Sequence, residues 1–250
     1  MTSNRPRISA FFPAYNDGGT IGSLVVTTLQ TLAEVSDDYE VIVIENGSTD
    51  YTVQVLKELA EQYDHFRYQA HAAPLGYGGA LRAGFAECTK DFIFYTDGDA
   101  QYDPREITLL LAAMRDGIDV VNGYKIDRSD PFHRKIIGRL YHHTVKLMFG
   151  FKLRDVDCDF RLIRRAAMHD ITLESDSGTI CLELVKKLQD AGKVFAKCRF
   201  IITIVRTVKA SFSTFHVSGA HSYNSCNYGS NSSSCGGRSL FGTLPFQVKG

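Results

Sequence analysis

The sequence has no excess of charge of either sign, because 28 basic residues balance 28 acidic residues among its 250 positions. A chain without net charge has no overall field that would attract nucleic acid. We therefore expect no nucleic-acid partner. A local basic patch is still able to face a membrane surface or a phosphate group.

Long hydrophobic runs are also absent. The first residues, MTSNRPRIS, contain no apolar stretch of the kind that a secretory signal needs. Apolar runs elsewhere, such as Phe92 to Tyr95, fall far short of the roughly 20 residues of a membrane-spanning helix. The sequence thus predicts a cytoplasmic protein whose contact with a membrane, if any, is peripheral and at the cytoplasmic face.

Paired cysteine motifs are missing as well, since none of the six cysteines stands in a CxxC pair. The spacing indicates neither a zinc ribbon nor a disulfide framework. Free thiols in a reducing compartment are expected instead. The six residues are Cys88, Cys158, Cys181, Cys198, Cys226 and Cys235.

Hydrophobic residues make up 44% of the chain, which is enough for the core of one large domain. Apolar, β-rich runs alternate with segments of helical period. This alternation predicts an α/β fold, a single domain in which helices flank a mostly parallel, Rossmann-like sheet. The predicted strands are Ile8 to Pro13, Tyr39 to Glu45, Phe66 to Ala70, Phe92 to Thr96 and Val120 to Gly123. The predicted helices are Ile21 to Val35, Thr52 to Tyr63, Ala80 to Thr89, Arg105 to Arg115, His133 to Phe149 and Thr179 to Ala191.

Polar clusters follow three of the predicted strands. PAYND begins at Pro13, ENGSTD begins at Glu45 and TDGDAQ begins at Thr96. In open parallel sheets, ligands bind beyond the carboxyl ends of the strands. The three clusters are therefore predicted to line one crevice.

Two carboxylates stand close together in the third cluster. Asp97 and Asp99 straddle Gly98, and a bend at this glycine would point both side chains at one cation. Oxygen ligands suit Mg²⁺ or Mn²⁺ and, without a neighbouring His or Cys, argue against zinc. Gln101 is a candidate third contact. Because Asp and Gly are also common in turns, these residues alone leave a metal site and a plain turn both open.

Seven segments between Ile8 and Ala196 occur in an order and at a spacing that resemble a known family. The segments are FPAYND, VIVIENGSTD, GYGGALRAGF, FIFYTDGDAQYDP, VVNGYK, RDVDCDFRLIRR and SGTICLELVKKLQDAG. The resemblance is to the family 2 glycosyltransferases of the GT-A fold, within them to the branch of dolichyl-phosphate mannosyltransferase and other polyprenyl-phosphate glycosyltransferases. It implies the GT-A fold and an Mg²⁺ or Mn²⁺ cofactor held by Asp97, Asp99 and Gln101, with Asp99 catalytic.

The resemblance also implies a site for a nucleotide-diphosphate sugar. Asp17 stands where the family usually has Glu, while Glu45 and Asn46 stand where it usually has two Asp residues, which leaves the nucleotide base open. Glycines at a helix start would let a nucleotide approach the backbone and the positive end of the helix. The implied contacts are Pro13, Ala14, Tyr15, Asp17, Glu45, Asn46, Gly76, Gly78, Gly79 and Asp97.

On the acceptor side, Asp155 matches the family's acceptor-site aspartate and is implied to be catalytic. A sugar hydroxyl would need Asp155 as a general base. An ionised lipid phosphate is already a nucleophile, so that Asp155 would mainly position it. Glu183 is as readily a structural ion pair as a site residue. The implied contacts with the acceptor phosphate are Lys125, Arg134, Arg139 and Arg161.

The function that the resemblance implies is metal-dependent, inverting transfer of a sugar from a nucleotide diphosphate to a polyprenyl phosphate such as dolichyl or undecaprenyl phosphate. Two alternatives stay open. One is a family 2 transferase that acts on a saccharide hydroxyl. The other is an inactive nucleotide-binding remnant, suggested by the unusual end of the chain.

That end changes character after Ala196, because residues 197–250 contain no Asp or Glu and run into NSCNYGSNSSSCGGRS, a composition typical of disorder. Relatives usually continue with a strand resembling EVPVHH and then a basic, aromatic stretch. Reading the codons one nucleotide back from Ala196 permits EVPVHHHYRTDGKSQFFNFPRV, which restores that segment. We therefore predict a GT-A domain over 1–196 and, over 197–250, an aberrant, largely disordered tail produced by a frameshift.

Overall fold

A computed structural model describes residues 5–125 and 159–200 of the chain. The described strands are β1 Ile8–Ala14, β2 Tyr39–Glu45, β3 Phe66–Ala70, β4 Phe92–Tyr95, β5 Val120–Lys125, β6 Arg161–Arg164 and β7 Phe195–Phe200. The described helices are α1 Ile21–Val35, α2 Thr52–Gln62, α3 Gly76–Glu87, α4 Ile107–Ala113, α5 Arg165–Met168 and α6 Ile180–Asp190, with a 3-10 turn at Pro104–Glu106.

The strands form one mixed sheet in the order β3-β2-β1-β4-β6-β5-β7. Strands β1, β2, β3 and β4 pair in parallel, and so do β5 and β7. Strand β6 runs antiparallel to both of its neighbours, β4 and β5. The predicted α/β fold with a mostly parallel sheet is confirmed.

Helices cover both faces of the sheet, so that β1 is buried on both sides. Its residues Ile8, Ala10 and Phe12 pack with α1, α2 and α4. Phe11 packs on the other face with α3 and α6. A strand buried on both faces is a continuous apolar run rather than an alternating one, as ISAFFPA shows.

Helix α1 shows why these segments are helical. Its buried residues Ile21, Leu24, Val25, Leu29 and Leu32 recur at spacings of three and four, so that they form one apolar stripe against the sheet. The predicted bounds of α1, β2 and β3 agree with the observed ones. Among the described helices, none is long and apolar enough to cross a membrane.

In the second half of the chain, the described strands differ from the predicted ones. Strands β6 and β7 were not predicted, and the predicted helix from His133 to Phe149 lies outside the described residues. Strand β7 pairs with β5 from Phe195 to Phe200 and so runs past the predicted domain boundary at Ala196. The given residues thus extend the sheet by four positions beyond that boundary, while the rest of the predicted tail lies outside the described part of the chain.

Candidate active site

A pocket of about 450 Å³ opens at the carboxyl ends of the parallel strands β1 and β4. All three predicted polar clusters contribute to its wall, together with the start of α3. The lining residues are Pro13, Ala14, Tyr15, Asp17, Asn46, Pro74, Gly76, Tyr77, Asp97, Gly98 and Asp99. The crevice that strand order predicts therefore exists.

The loops after β1 and β2 are joined by Asn16. Its side-chain Oδ1 accepts hydrogen bonds from the backbone N–H of Thr49 (2.8 Å) and of Asp50 (3.3 Å). Its own N–H donates to Ser48 Oγ over 3.0 Å. Asn16 adopts a left-handed conformation with φ of 58°, which Asn tolerates better than most residues. These bonds hold PAYND and ENGSTD side by side at one wall of the pocket.

Gly98 lets the loop after β4 lie against the end of β1. A Cβ atom at this position would come within 2.5 Å of the Pro13 carbonyl oxygen and 3.1 Å of Asp17 Oδ2. A side chain at residue 98 would therefore push the two loops apart. The glycine between the two aspartates is needed for this close approach, which brings Asp17 next to the TDGDAQ loop.

The carboxyl group of Asp97 has a raised pKa. Burial raises the pKa of Asp97 to about 7, and repulsion from Asp159 adds to the shift, while a hydrogen bond from the Tyr77 hydroxyl opposes it. The hydroxyl oxygen of Tyr77 lies 2.7 Å from Asp97 Oδ1. Burial also raises the pKa of Asp17, and repulsion from Asp99 acts in the same direction. Burial and repulsion thus both disfavour the charged forms of Asp17 and Asp97.

Gln101 contacts Asp99 directly. Its side-chain Nε2 donates to Asp99 Oδ2, and its backbone N–H donates to Asp99 Oδ1 over 3.1 Å. Between them, Ala100 has a left-handed φ of 55°, a conformation that costs a non-glycine residue about 1–3 kcal/mol. In this geometry Gln101 orients Asp99, and its predicted role as a metal ligand stays a prediction.

The donor set fits a hard divalent cation. Asp17, Asp97 and Asp99 offer oxygen ligands alone, and a cation among them would relieve the repulsion that raises the pKa values of Asp17 and Asp97. Within residues 5–125 and 159–200, no three His, Cys, Asp or Glu side chains are arranged to hold a metal unaided. A cation here would therefore complete its shell with oxygens of a bound diphosphate or of water.

Of the two residues Glu45 and Asn46 at the end of β2, Asn46 lines the pocket and Glu45 lies beneath the loop. Asn46 lines the pocket, where its Oδ1 accepts the Leu75 N–H over 2.7 Å and its Nδ2 donates to the Gly76 carbonyl over 3.4 Å. Glu45 is buried, and its Oε1 accepts the Ser48 N–H beneath the loop. Asn46 therefore belongs to the pocket wall, whereas Glu45 shapes the loop that carries it, and the predicted nucleotide contacts of both residues stay predictions.

The glycines at the start of α3 lie in close contacts. Cβ atoms at Gly76 and Gly78 would lie 2.3 Å from the Asp176 carbonyl oxygen and 2.2 Å from the Ser175 carbonyl oxygen. The Gly78 N–H donates to the Asp176 carbonyl over 2.9 Å. A Cβ at Gly79 would meet Leu75 Cβ at 2.7 Å. Gly76 and Gly78 thus let the backbone of another loop approach, Gly76 also lines the pocket, and the predicted contact of the three glycines with a nucleotide stays a prediction.

Two of the predicted acceptor residues, Arg161 and Lys125, belong to described strands. Arg161 is fully buried within the sheet, where its Nε donates to Asn122 Oδ1 and its Nη1 donates to the Tyr95 hydroxyl. Both bonds join Arg161 to neighbouring strands of the sheet, and its predicted contact with the acceptor phosphate stays a prediction. Lys125 ends β5. The other predicted acceptor residues, Arg134, Arg139 and Asp155, lie outside the described part of the chain.

Three side chains near the site were missed or left open by the sequence. Tyr77 stands between two conspicuous glycines, and that position was the available signal. Asp159 accepts a hydrogen bond from the Cys181 thiol over 3.0 Å. Glu183 accepts the N–H groups of Glu174 and Ser175 and pairs with Lys187, so the structural alternative is the one observed.

Solved structures share this fold. Glucosyl-3-phosphoglycerate synthase of Mycobacterium tuberculosis superposes with a TM-score of 0.60 at 19% identity, over 79% of this chain and 72% of that one. The same enzyme in complex with Mg²⁺ and uridine-diphosphate gives a TM-score of 0.59 at 18% identity, over 79% and 70% of the two chains. The likeness shows that the chain has the GT-A fold.

The family follows from the sequence match. Residues 9–172 match glycosyl transferase family 2, and the chain belongs to this family. The matched segment contains every described residue that lines the pocket.

Two named relatives narrow the comparison. The undecaprenyl-phosphate 4-deoxy-4-formamido-L-arabinose transferase of Enterobacter sp. is 30% identical over 160 residues, which cover 64% of this chain and 49% of that protein. Glycosyltransferase AglD of Haloferax volcanii is 32% identical over 194 residues, which cover 74% of this chain and 31% of that protein. The chain thus spans about half the length of these relatives or less.

Proposed function

We propose that the chain is an inverting glycosyltransferase that uses Mg²⁺ or Mn²⁺ to move a sugar from a nucleotide diphosphate to a polyprenyl phosphate, at the cytoplasmic face of a membrane. The observation that carries the proposal is the gathering of Asp17, Asp97 and Asp99 at one pocket beyond the ends of β1 and β4. The name of the Enterobacter relative supports the choice of a polyprenyl phosphate as acceptor.

Asp97 and Asp99 are the residues that would hold the cation, with Gln101 keeping Asp99 in place. When bound, the cation supplies positive charge that stabilises the departing diphosphate. Tyr15 and Asn46 line the remaining wall, and we propose that they contact the nucleoside. Asp17 closes the pocket on the side of β1, where its Oδ2 accepts the Tyr15 N–H over 3.0 Å.

In the proposed transfer, an oxygen of the acceptor phosphate attacks the anomeric carbon on the face opposite the diphosphate. A new carbon–oxygen bond forms, the bond to the diphosphate breaks with its electron pair, and the nucleoside diphosphate leaves. The anomeric configuration is thereby inverted. An acceptor phosphate is ionised at neutral pH, so no residue has to remove a proton from it.

Basic side chains are proposed to receive the acceptor phosphate. Lys125, Arg134 and Arg139 are the candidates, because guanidinium and ammonium groups make strong, charge-assisted hydrogen bonds to phosphate. Asp155 is proposed to position the acceptor rather than to act as a base.

A transfer assay with purified protein, Mn²⁺ and a panel of nucleotide-diphosphate sugars tests the function. The proposal predicts a labelled lipid product with undecaprenyl or dolichyl phosphate and none with the corresponding dephosphorylated alcohol. Transfer to a saccharide hydroxyl instead would overturn the choice of acceptor. Nucleotide binding without any transfer would indicate a remnant that has lost its activity.

Asp155→Asn separates the two acceptor chemistries. With a lipid phosphate as nucleophile, the variant is expected to keep part of its activity, because the amide retains the shape of the side chain and no base is required. Complete loss of transfer by a folded Asp155→Asn protein would show that Asp155 removes a proton, as a hydroxyl acceptor requires.

A further inference from the structure

Tyr77 is a neutral side chain in the pocket wall, and it hydrogen-bonds the predicted metal ligand Asp97. Its hydroxyl donates to Asp97 Oδ1 over 2.7 Å, and both residues line the pocket. We propose that Tyr77 is a positioning residue for the cation site, which fixes the Asp97 carboxylate in the orientation that binds a divalent cation. This inference rests on the proposed function, because it concerns the same cation.

The backbone on both sides of Tyr77 is fixed by another loop. Gly76 and Gly78 have no Cβ, and the Ser175 and Asp176 carbonyl oxygens occupy the space where those atoms would be. The Gly78 N–H also donates to the Asp176 carbonyl over 2.9 Å. A tyrosine between two such contacts has little freedom to move its ring, so that its hydroxyl is held at a constant position.

Arg82 strengthens this arrangement from within the same helix, α3. Its guanidinium donates to the Glu174 carbonyl and to Asp176 Oδ1. On the other side of Tyr77, the Leu75 N–H donates to Asn46 Oδ1 over 2.7 Å. Tyr77 is therefore carried by a helix start that is anchored both to the loop around residue 175 and to the end of β2.

The bond matters because Asp97 lies among like charges. Repulsion from Asp159, Asp99 and Asp17 acts on its carboxylate. A carboxyl group in such a place is able to rotate about its terminal torsion, which has a broad energy profile. The hydroxyl of Tyr77 occupies one lone pair of Oδ1 and thereby leaves Oδ2 and the other lone pair of Oδ1 available to a cation.

Tyr77 reaches Asp97 through a single hydrogen bond, from its hydroxyl to Oδ1. Removing the hydroxyl therefore removes this contact and leaves the number of carboxyl groups in the site unchanged. Groups that orient a metal ligand in this way typically change metal affinity by about 10–100-fold when they are removed.

The test measures Mn²⁺ affinity in the presence of saturating UDP or GDP, by electron paramagnetic resonance of free Mn²⁺, for the full chain and Tyr77→Phe. We expect the variant to bind Mn²⁺ about 10–100-fold more weakly, while binding the nucleotide alone as before. Tyr39→Phe is the matched control, because Tyr39 begins β2 and so lies at the opposite edge of the sheet. It should bind Mn²⁺ as the unaltered protein does.

A double variant shows whether Tyr77 acts through Asp97. If it does, Tyr77→Phe weakens Mn²⁺ binding in the otherwise unaltered chain but adds no further loss to Asp97→Asn. Thermal unfolding is followed in parallel, and Tyr77→Leu removes the same hydroxyl should the phenylalanine variant not fold.

Two outcomes would overturn the inference in distinguishable ways. If Asp97→Asn loses Mn²⁺ while Tyr77→Phe binds it with natural affinity, Tyr77 has no positioning role and the proposed function stands. If the unaltered protein binds no Mn²⁺ in the presence of UDP or GDP, the proposed cation site fails first and the role of Tyr77 fails with it.

Discussion

The two halves of the sheet differ in where their functionally or structurally important polar residues lie. In the parallel half, β1 and β2 are largely apolar, as VIVI in β2 shows, and the polar residues that line the pocket follow the carboxyl ends of the strands. In the mixed half, β5 to β7, a fully buried Arg161 lies in β6 and bonds Asn122 and Tyr95. The pocket residues of the parallel half therefore lie beyond its strands, whereas the large polar side chain of the mixed half lies within a strand and bonds its neighbours.

This difference leads to opposite expectations for polar residues in the two halves. Replacing a carboxylate at the edge of the parallel half should remove ligand binding and leave the fold intact. Replacing Arg161 in the mixed half should weaken the fold. The variants below are ordered from the largest expected effect to the smallest.

Asp99→Asn should have the largest effect, because it removes a charge that would meet the cation. We expect transfer activity to fall about 10²–10³-fold, the usual range when one group that stabilises developing charge is lost. Initial rates at saturating donor measure the effect. The melting temperature should not fall, since Asp99 is at the rim of the pocket. Activity close to that of the unsubstituted protein would contradict the expectation that the carboxylates beyond the parallel strands serve ligand binding.

Asp97 should make the metal-free protein less stable as pH rises. The folded carboxyl keeps its proton up to its pKa of about 7, whereas the unfolded chain loses it near its ordinary value of 3.8. The free energy of unfolding therefore falls between about pH 4 and pH 7 and is level above that range. At about 1.4 kcal/mol for each pKa unit, the upper bound of this fall is on the order of 4 kcal/mol.

Denaturant unfolding across this pH range, in chelator, checks the Asp97 prediction. Asp97→Asn should lack this component of the pH dependence, while Asp64→Asn, a change at an exposed residue, should retain it. Identical pH profiles for the natural protein and Asp97→Asn would show that the carboxyl is not perturbed in the folded state.

Arg161→Met should destabilise the mixed half by about 3 kcal/mol, because hydrogen bonds to a charged group are lost and buried partners stay behind. The free energy of unfolding in denaturant measures this loss. Arg5→Ala is the control, since the exposed pair of Arg5 with Asp37 should contribute less than about 1 kcal/mol. Equal stability of the two variants would contradict a structural role for Arg161.

Gly98→Ala should have the smallest effect of the series, about 1–3 kcal/mol, because the new Cβ has to push away the Pro13 carbonyl. Nucleotide affinity and melting temperature should both decrease. Gly178→Ala is the matched control, since its would-be Cβ has no neighbour within 4 Å among the described residues, apart from those adjacent in the chain. If Gly98→Ala has the nucleotide affinity and the melting temperature of the unsubstituted protein, the two loops do not need this close approach.

The sequence predicts the parallel half better than the mixed half for a physical reason. Strands β2 and β3 and helix α1 have the predicted bounds because apolar periodicity reflects burial directly. Strand β6 was missed because RLIR has arginine at both ends, and a buried arginine depends on partners distant in sequence. Periodicity carries no information about such partners.

The candidate site also has features that the sequence predicts and features that it does not. Its position at Asp97 and Asp99 could be predicted because parallel strands end at one edge. The contact of Tyr77 with Asp97 could not, since 20 residues separate them and only the fold brings them together. The glycines at Gly76 and Gly78 were noticed, but their partner, the loop at residues 175 and 176, became visible only in the structure.

The predicted frameshift after Ala196 concerns the mixed half alone. Residues up to Phe200 extend β7 along β5. We propose that the natural chain continues in the other reading frame and supplies a basic, aromatic segment for the lipid headgroup. Resequencing the gene decides this point, and an open frame with no missing or added base would exclude it.

The most direct measurement of the central claim is calorimetry of the purified chain with UDP and with GDP, in Mn²⁺ and in chelator. If Asp97 and Asp99 form a cation-dependent site for a nucleotide diphosphate, at least one of the two nucleotides binds in Mn²⁺, binding weakens strongly in chelator, and Asp99→Asn removes the dependence on metal. Absence of binding by either nucleotide, or equal binding with and without Mn²⁺, would contradict the claim.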